Sequence, residues 1–323
     1  MKKALVIGLN KYEGCDLYCC VEDATAISEQ FEANGDGSPN FEVKKILGES
    51  TKTEMEKAIE LLFADDADIA LLYFSGHGFG ENGGYLCTSD YNIDTRIGVS
   101  MNYILEKANN SRCKNKVIIL DCCFAGIMGD VESLNNNSVL GEGVTIIATS
   151  QRWQSSMEDR EIKHGIFTNL LIQGLRGSAA DICGNITPAS LYSFVDQSLG
   201  AWQQRPVFKT NISQFLPLRI IQPKVSRSIL RKLSKYFKNS TDEYLLNPSF
   251  EYTNDPSIEH KIIKPYANPE NVEIFKELQL FESVGLIEPV GAEHMYFAAM
   301  ESKKCKLTAL GLHYWRLAKD KRF

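Results

Sequence analysis

Apolar positions along the first 220 residues follow two alternating rhythms. Short, nearly continuous apolar runs occur in KALVIGL (3–9), DIALLYF (68–74), KVIILD (116–121) and GVTIIATS (143–150). Such runs read as strands buried on both faces, as in a parallel sheet. FEVKKIL (41–47) alternates as a strand, and RPVFKTN (205–211) reads as a last strand. Between the strands the apolar spacing becomes three and four. VEDATAISEQFEANG sets Ala24, Ile27 and Phe31 on one helical face and carries a stop signal at Gly35. STKTEMEKAIELLF opens on a Ser/Thr start and SMNYILEKANN on Ser100; GIFTNLLIQGL and TPASLYSFVDQSL are further helices. Regular strand–helix succession predicts an α/β domain with a mostly parallel sheet covered on both faces. Ligands of such sheets collect at the carboxyl ends of the strands.

Near Ile221 the pattern changes, which divides the chain into domains 1–220 and 221–323. SRSILRKLSKYFKNS predicts a basic amphipathic helix with Ile229, Leu230, Leu233 and Phe237 on one face. The Pro- and Asn-rich stretch NPSFEYTNDPSIEHKIIKPYANP reads as loop. NVEIFKELQLFESVGLIEP predicts a helix, a stop at Gly285 and a strand. HMYFAAM and CKLT predict two short strands, and TALGLHYWRLAKDK a closing helix capped by Thr308. Helix, GLI, hairpin, LT-x-x-G and helix resembles a winged-helix domain of α+β type.

Charge changes that picture. Residues 1–220 hold 19 Lys+Arg against 28 Asp+Glu, a net of −9, and residues 221–323 hold 16 against 13, a net of +3. An acidic body disfavours nucleic acid. The helix before the wing, which would enter a DNA groove, carries Glu273, Glu277 and Glu282 against Lys276. Contact with a partner protein or sensing of a ligand is therefore the expected role. Tyr296, Phe297, Tyr314 and Trp315 either stack on a ligand ring or form this small domain's core. No apolar run approaches the roughly 18 residues of a membrane helix, so no membrane partner is expected. MKKALVIGLN ends its apolar run too early for a signal peptide, and no small-residue cleavage site follows. The nine cysteines include the adjacent pairs Cys19-Cys20 and Cys122-Cys123. That pattern predicts reduced thiols in a cytoplasmic protein rather than a disulfide framework.

The candidate chemistry lies in YFSGHGFGENGG (73–84), where two motifs overlap. From Gly78 the letters fit the dinucleotide fingerprint GxGxxG. A dinucleotide turn must open a helix in the first βα unit, and GYLCTSDYN after Gly83 has no helical period. From Ser75, SGHG sets His77 on a glycine-flanked turn after a strand. Forty-six residues on, ILDCCFAG ends another buried strand with Cys123. Both residues then leave the core at the same sheet edge. A thiol attacks as thiolate, and a neighbouring histidine promotes that form. The backbone amides of Gly78 and Cys123 are candidates for an oxyanion hole. Two other readings use the same residues. One gathers Cys15, Cys19, Cys20, Cys122, Cys123 and His77 around zinc, although no CxxC spacing exists. The other keeps an inert domain as a scaffold, with a DNA-binding winged helix as the working part.

YFSGHG followed by LDCCFAG resembles the clan of caspases, metacaspases and their bacterial caspase-like relatives, over roughly the first 220 residues. The resemblance implies a three-layer caspase-haemoglobinase-like sandwich around a six-stranded sheet, and a cysteine endopeptidase. The third residue of the family's DxCxxG is Cys123, and Cys122 becomes a packing residue. In the metacaspase branch the positions matching Cys20, Asp23, Ser75 and Asp121 line an acidic S1 pocket, which implies protein or peptide substrates with Arg or Lys before the cut. Two carboxylates attract a guanidinium or ammonium and repel a carboxylate. Asp23 also reads as a helix-end acid balancing the dipole. No cofactor is expected. Calcium stays open, because Asp130 matches one position used by calcium-dependent metacaspases, while Asp90 and Asp94 are only nearby. In the family the loop QRWQSSMEDREIKHG borders the cleft, so Trp153, Ser155 and Ser156 are expected to line it. Bacterial relatives with appended C-terminal domains resemble effectors of antiphage defence or cell death, some switched by a nucleotide. Tyr296, Tyr314 and Trp315 are the candidate ligand contacts for such a small nucleotide activator.

Overall fold

The computed structural model describes residues 1–80, 83–90, 98–128, 130–131, 137–149, 158–159, 164–199, 206–253 and 259–322. They divide into two compact units, Met1–Gln222 and Pro223–Phe323.

The first unit is built on a six-stranded sheet. In spatial order its strands are Val207–Asn211, Val144–Ala148, Asn115–Asp121, Ile69–Ser75, Lys2–Leu9 and Glu42–Gly48. Neighbours pair in parallel except Val207–Asn211, which runs antiparallel to Val144–Ala148. The runs read as doubly buried are so: every residue of Ile69–Ser75 and Asn115–Asp121 is buried. Period-two alternation sends Leu5, Ile7 and Leu9 to one face and Ala4 and Val6 to the other. The first face packs on helices Lys52–Ala64 and Met101–Asn110 through Met55, Ile59, Met101 and Ile104. The second packs on helices Cys20–Glu32, Ile166–Gln173 and Pro188–Ser198 through Ile27, Phe31, Leu171, Leu191 and Val195. Each fully buried aliphatic or aromatic side chain there contributes roughly 1.5–3 kcal/mol. The three layers follow: an α/β sandwich with the sheet in the middle.

Local caps explain several helix starts. Thr51 and Thr187 each accept a backbone N–H in a reciprocal capping box. Ser100 holds the cap position of its helix without a capping hydrogen bond from its side chain. No described helix is long and apolar enough to cross a membrane.

The second unit corrects two sequence readings. HMYFAAM, expected as a strand, contains the helix Met295–Met300. Met295, Ala298 and Ala299 are buried at helical spacing, and alanine favours helix. It joins strands Ile287–Val290 and Lys304–Leu307, which pair antiparallel beside Glu243–Leu245. The expected basic helix is two short ones, Arg227–Leu230 and Leu233–Tyr236. Between them the Lys232 N–H donates to the Ile229 carbonyl three residues back, which tightens the turn. Leu230, Leu233 and Phe237 still reach the core. Helix Pro269–Ser283, the turn at Gly285 and the helix Ala309–Lys319 with its Thr308 cap match the sequence pattern. Tyr314 and Trp315 are buried, and the Trp315 indole N–H donates to the Phe237 carbonyl at 2.7 Å. Those two rings are core of the unit, while Tyr296 is half-buried.

Candidate functional site

Parallel pairing sets Ser75 opposite Asp121 at the carboxyl ends of two central strands. His77 and Cys123 each follow two residues later, so the register delivers both to one edge. The chain there is tightly packed. A Cβ on Gly78 would come within 2.2 Å of the Cys123 carbonyl oxygen and 3.0 Å of the Cys122 sulfur. Only a glycine permits that approach of the two turns. Directly after Cys123 the backbone of Phe124 turns into the left-handed region with φ of 58°.

The adjacent cysteines differ in environment. Cys122 is fully buried, and burial pushes its thiol well above the ordinary range, with the fields of Cys123 and Asp121 adding to it. Cys123 is partly exposed. Cys87 beneath the site is also buried, its thiol pushed up to about 12. Of these thiols Cys123 alone faces solvent and carries the accessibility a nucleophile needs.

His77 is held from several directions. Its Nε2 lies 2.8 Å from the Cys15 carbonyl oxygen. A carbonyl only accepts, so Nε2 carries the proton and the neutral ring's lone pair is on Nδ1. The His77 backbone N–H donates to the Tyr12 hydroxyl at 3.1 Å, and the two rings meet edge-on with centroids 4.7 Å apart. The His77 carbonyl accepts the Cys87 N–H at 2.9 Å. The loop presenting Cys15 is itself fixed. Asp16 accepts the Tyr12 N–H at 2.9 Å and the Lys11 ammonium at 2.8 Å, and Asn10 accepts the Val21 N–H at 3.2 Å.

Beside this edge two buried carboxylates converge. Asp23 accepts from the Ser75 hydroxyl at 3.4 Å, from His164 Nδ1 at 2.8 Å and from the Gly165 N–H at 3.3 Å to both oxygens. Asp121 accepts from the Thr168 hydroxyl at 2.7 Å. That hydroxyl has one proton, so it accepts in turn from Tyr73, 2.6 Å away. Burial and the fields of Asp23 and Asp121 raise the Tyr73 phenol well above its usual range. A Cβ on Gly165 would come within 3.0 Å of Asp121 Oδ2 and 3.4 Å of Asp23 Oδ2, so both acids face one stretch of backbone. Cys20 is buried at the start of the same helix as Asp23.

Sequence reading missed Tyr12, the Cys15 carbonyl, His164, Gly165 and Thr168. The second His-Gly pair at 164–165 was the one visible signal. Trp153, Ser155, Ser156 and Asp94 lie outside the described residues. Asp130 is on a short strand paired with Ser138, and Asp90 accepts the Lys52 N–H at the start of a helix. Among the described residues no group of three or more His, Cys, Asp or Glu is arranged to hold a metal ion.

A family model described as the caspase domain matches residues 1–216. Among solved structures, caspase-1 from Spodoptera frugiperda superimposes with a TM-score of 0.51 at 16% identity, covering 68% of this chain and 90% of that one. No curated protein matches at a significant level.

Proposed function

Because the chain belongs to the caspase-domain family of cysteine peptidases, we propose that His77 and Cys123 perform its hydrolysis and that it cuts protein chains after Arg or Lys. One observation carries the first part: the Ser75–Asp121 register brings both residues to one edge, with His77 Nε2 already committed to a carbonyl. Nδ1 is then the base. It takes the Cys123 proton, and the thiolate adds to the substrate carbonyl carbon. The amides of Gly78 and Cys123 receive the oxyanion. Imidazolium returns the proton to the departing amine as the C–N bond breaks, leaving a thioester. Water, deprotonated by His77, hydrolyses it. The Cys15 carbonyl keeps its hydrogen bond to Nε2 through these steps.

The specificity rests on Asp23 and Asp121, buried yet converging at the same edge, with Ser75 and Cys20 beside them. Such an arrangement favours a cationic side chain and rejects an anionic one. Hydrolysis of fluorogenic Arg peptides by the whole chain tests both parts. Loss of that activity in Cys123→Ala is expected, and an unimpaired variant would overturn the site.

The separate unit Pro223–Phe323 is the proposed control element, answering to a nucleotide or a partner protein in a defence or cell-death response. A cytoplasmic setting fits nine cysteines that are all free thiols.

A further inference from the structure

We infer that His164 sets the charge of the acidic pocket, and so its selectivity for a cation, through its hydrogen bond to Asp23. The inference rests on the pocket assigned above to Asp23 and Asp121. Asp23 is buried, its side chain 3% exposed, whereas the His164 side chain is 25% exposed. His164 is thus the solvent-side neighbour of the buried acid. Its Nδ1 lies 2.8 Å from Asp23 Oδ1, and the next residue, Gly165, gives its N–H to both oxygens of the same carboxylate. A carboxylate only accepts, so Nδ1 bears a proton in either state of the ring. The second nitrogen, Nε2, is where the ring gains or loses charge.

The two states give two pockets. With a neutral ring, His164 donates a hydrogen bond and adds no charge, so Asp23 and Asp121 together present two negative charges. With a charged ring, a cation sits against Asp23 and one of those charges is cancelled. An arriving guanidinium then meets a weaker anion and a like charge. A leucine side chain is indifferent to the change. Among the described residues, the other charged groups acting on His164 are Glu22 on the helix of Asp23, which favours the charged ring, and Arg176, which opposes it. Asp121 lies across Gly165, and Asp159 pairs with His164 across the short hairpin. Burial of the ring draws its pKa below the ordinary value, while the direct bond to Asp23 works the other way. The ring is therefore neutral under mildly basic conditions and gains its proton on acidification.

The test uses a ratio. kcat/KM is measured for two peptides differing only in Arg or Leu before the cut, from about pH 8 to about pH 5, the span in which imidazoles titrate. Any pH effect on the chemical step common to both peptides cancels in the Arg-to-Leu ratio. In the unmodified chain the ratio is expected to fall ~10-fold on acidification, the scale of one charge added at a partly solvated site. In His164→Asn it is expected to stay flat, since the amide keeps an N–H near Asp23 and gains no proton. A flat ratio in the unmodified chain, or an equal fall in His164→Asn, overturns the inference and leaves the pocket reading standing. Absence of any Arg preference at about pH 8 overturns both. Should His164→Asn fail to fold, the profile of the unmodified chain and that of His164→Gln decide the matter by the same criteria.

Discussion

The Cys15 carbonyl oxygen accepts a hydrogen bond from His77 Nε2 at 2.8 Å. A backbone group thus fixes the tautomer and orientation of the imidazole, a task that other peptidases give to a carboxylate side chain. The precision of that contact depends on the loop carrying Cys15, and Tyr12 ties this loop to His77. Tyr12→Phe removes the hydroxyl that accepts the His77 N–H while keeping the ring. The orphaned N–H costs about 1–3 kcal/mol. We expect a lowered Tm and a kcat reduced ~10-fold with KM little changed, because a small displacement of a positioned base weakens the chemical step. Steady-state kinetics and a melting curve check this, and an unaltered kcat would remove Tyr12 from the positioning of His77.

The adjacent cysteines separate cleanly by environment. Cys123→Ala should lose at least ~10³ of the rate, as when a covalent nucleophile is removed. Cys122→Ala should retain most of it, since the Cys122 thiol is fully buried and held protonated. Iodoacetamide should likewise modify Cys123 before Cys122, as read by peptide mass mapping. Equal losses in the two variants would mean that the nucleophile has been misplaced.

The proposed acidic pocket predicts an order of substrates. With Arg, Lys, Leu or Asp before the cut, Arg should be best and Asp worst, read as kcat/KM on matched peptides. A Leu side chain, which brings no cation to the acidic pocket, should cost ~10²-fold or more. Asp121→Asn should weaken Arg peptides far more than Leu peptides, while Thr168 and Tyr73 still supply the hydrogen-bonded chain behind it. A preference for Asp or Leu in the unmodified chain would return Asp23 to the role of a helix-end acid and Asp121 to that of a strand-end brace.

Gly311 anchors the C-terminal unit. An added Cβ would come within 1.8 Å of the Leu286 carbonyl oxygen, and no rotamer change relieves a clash with backbone. Gly311→Ala should destabilise this unit by about 1–3 kcal/mol. Limited proteolysis should then cut between residues 223 and 323 faster than in the unmodified chain. Unchanged resistance would show that the Leu286 turn can shift at little cost.

What the sequence determined by itself is what short-range periodicity encodes. Continuous apolar runs such as DIALLYF and KVIILD, repeated at regular spacing between helical patterns, read as doubly buried strands, and Thr51, Thr187 and Thr308 marked helix starts because a hydroxyl satisfies nearby amides wherever the chain lies. Two such strands ending in SGHG and DCC placed His77 and Cys123 at the same edge without coordinates, since parallel neighbours share a direction. HMYFAAM was not legible, because so brief an apolar run fits both periods and only packing of Met295, Ala298 and Ala299 chose the helix. Periodicity did not separate the adjacent cysteines; the resemblance implied Cys122 as the packing residue, and the tertiary structure buries it. Only the tertiary structure decided which carbonyl meets His77, because a backbone oxygen carries no residue type to read. It brought His164 onto Asp23 from 141 residues away, a contact that no local spacing records because it exists only where two distant segments are packed against the same buried acid.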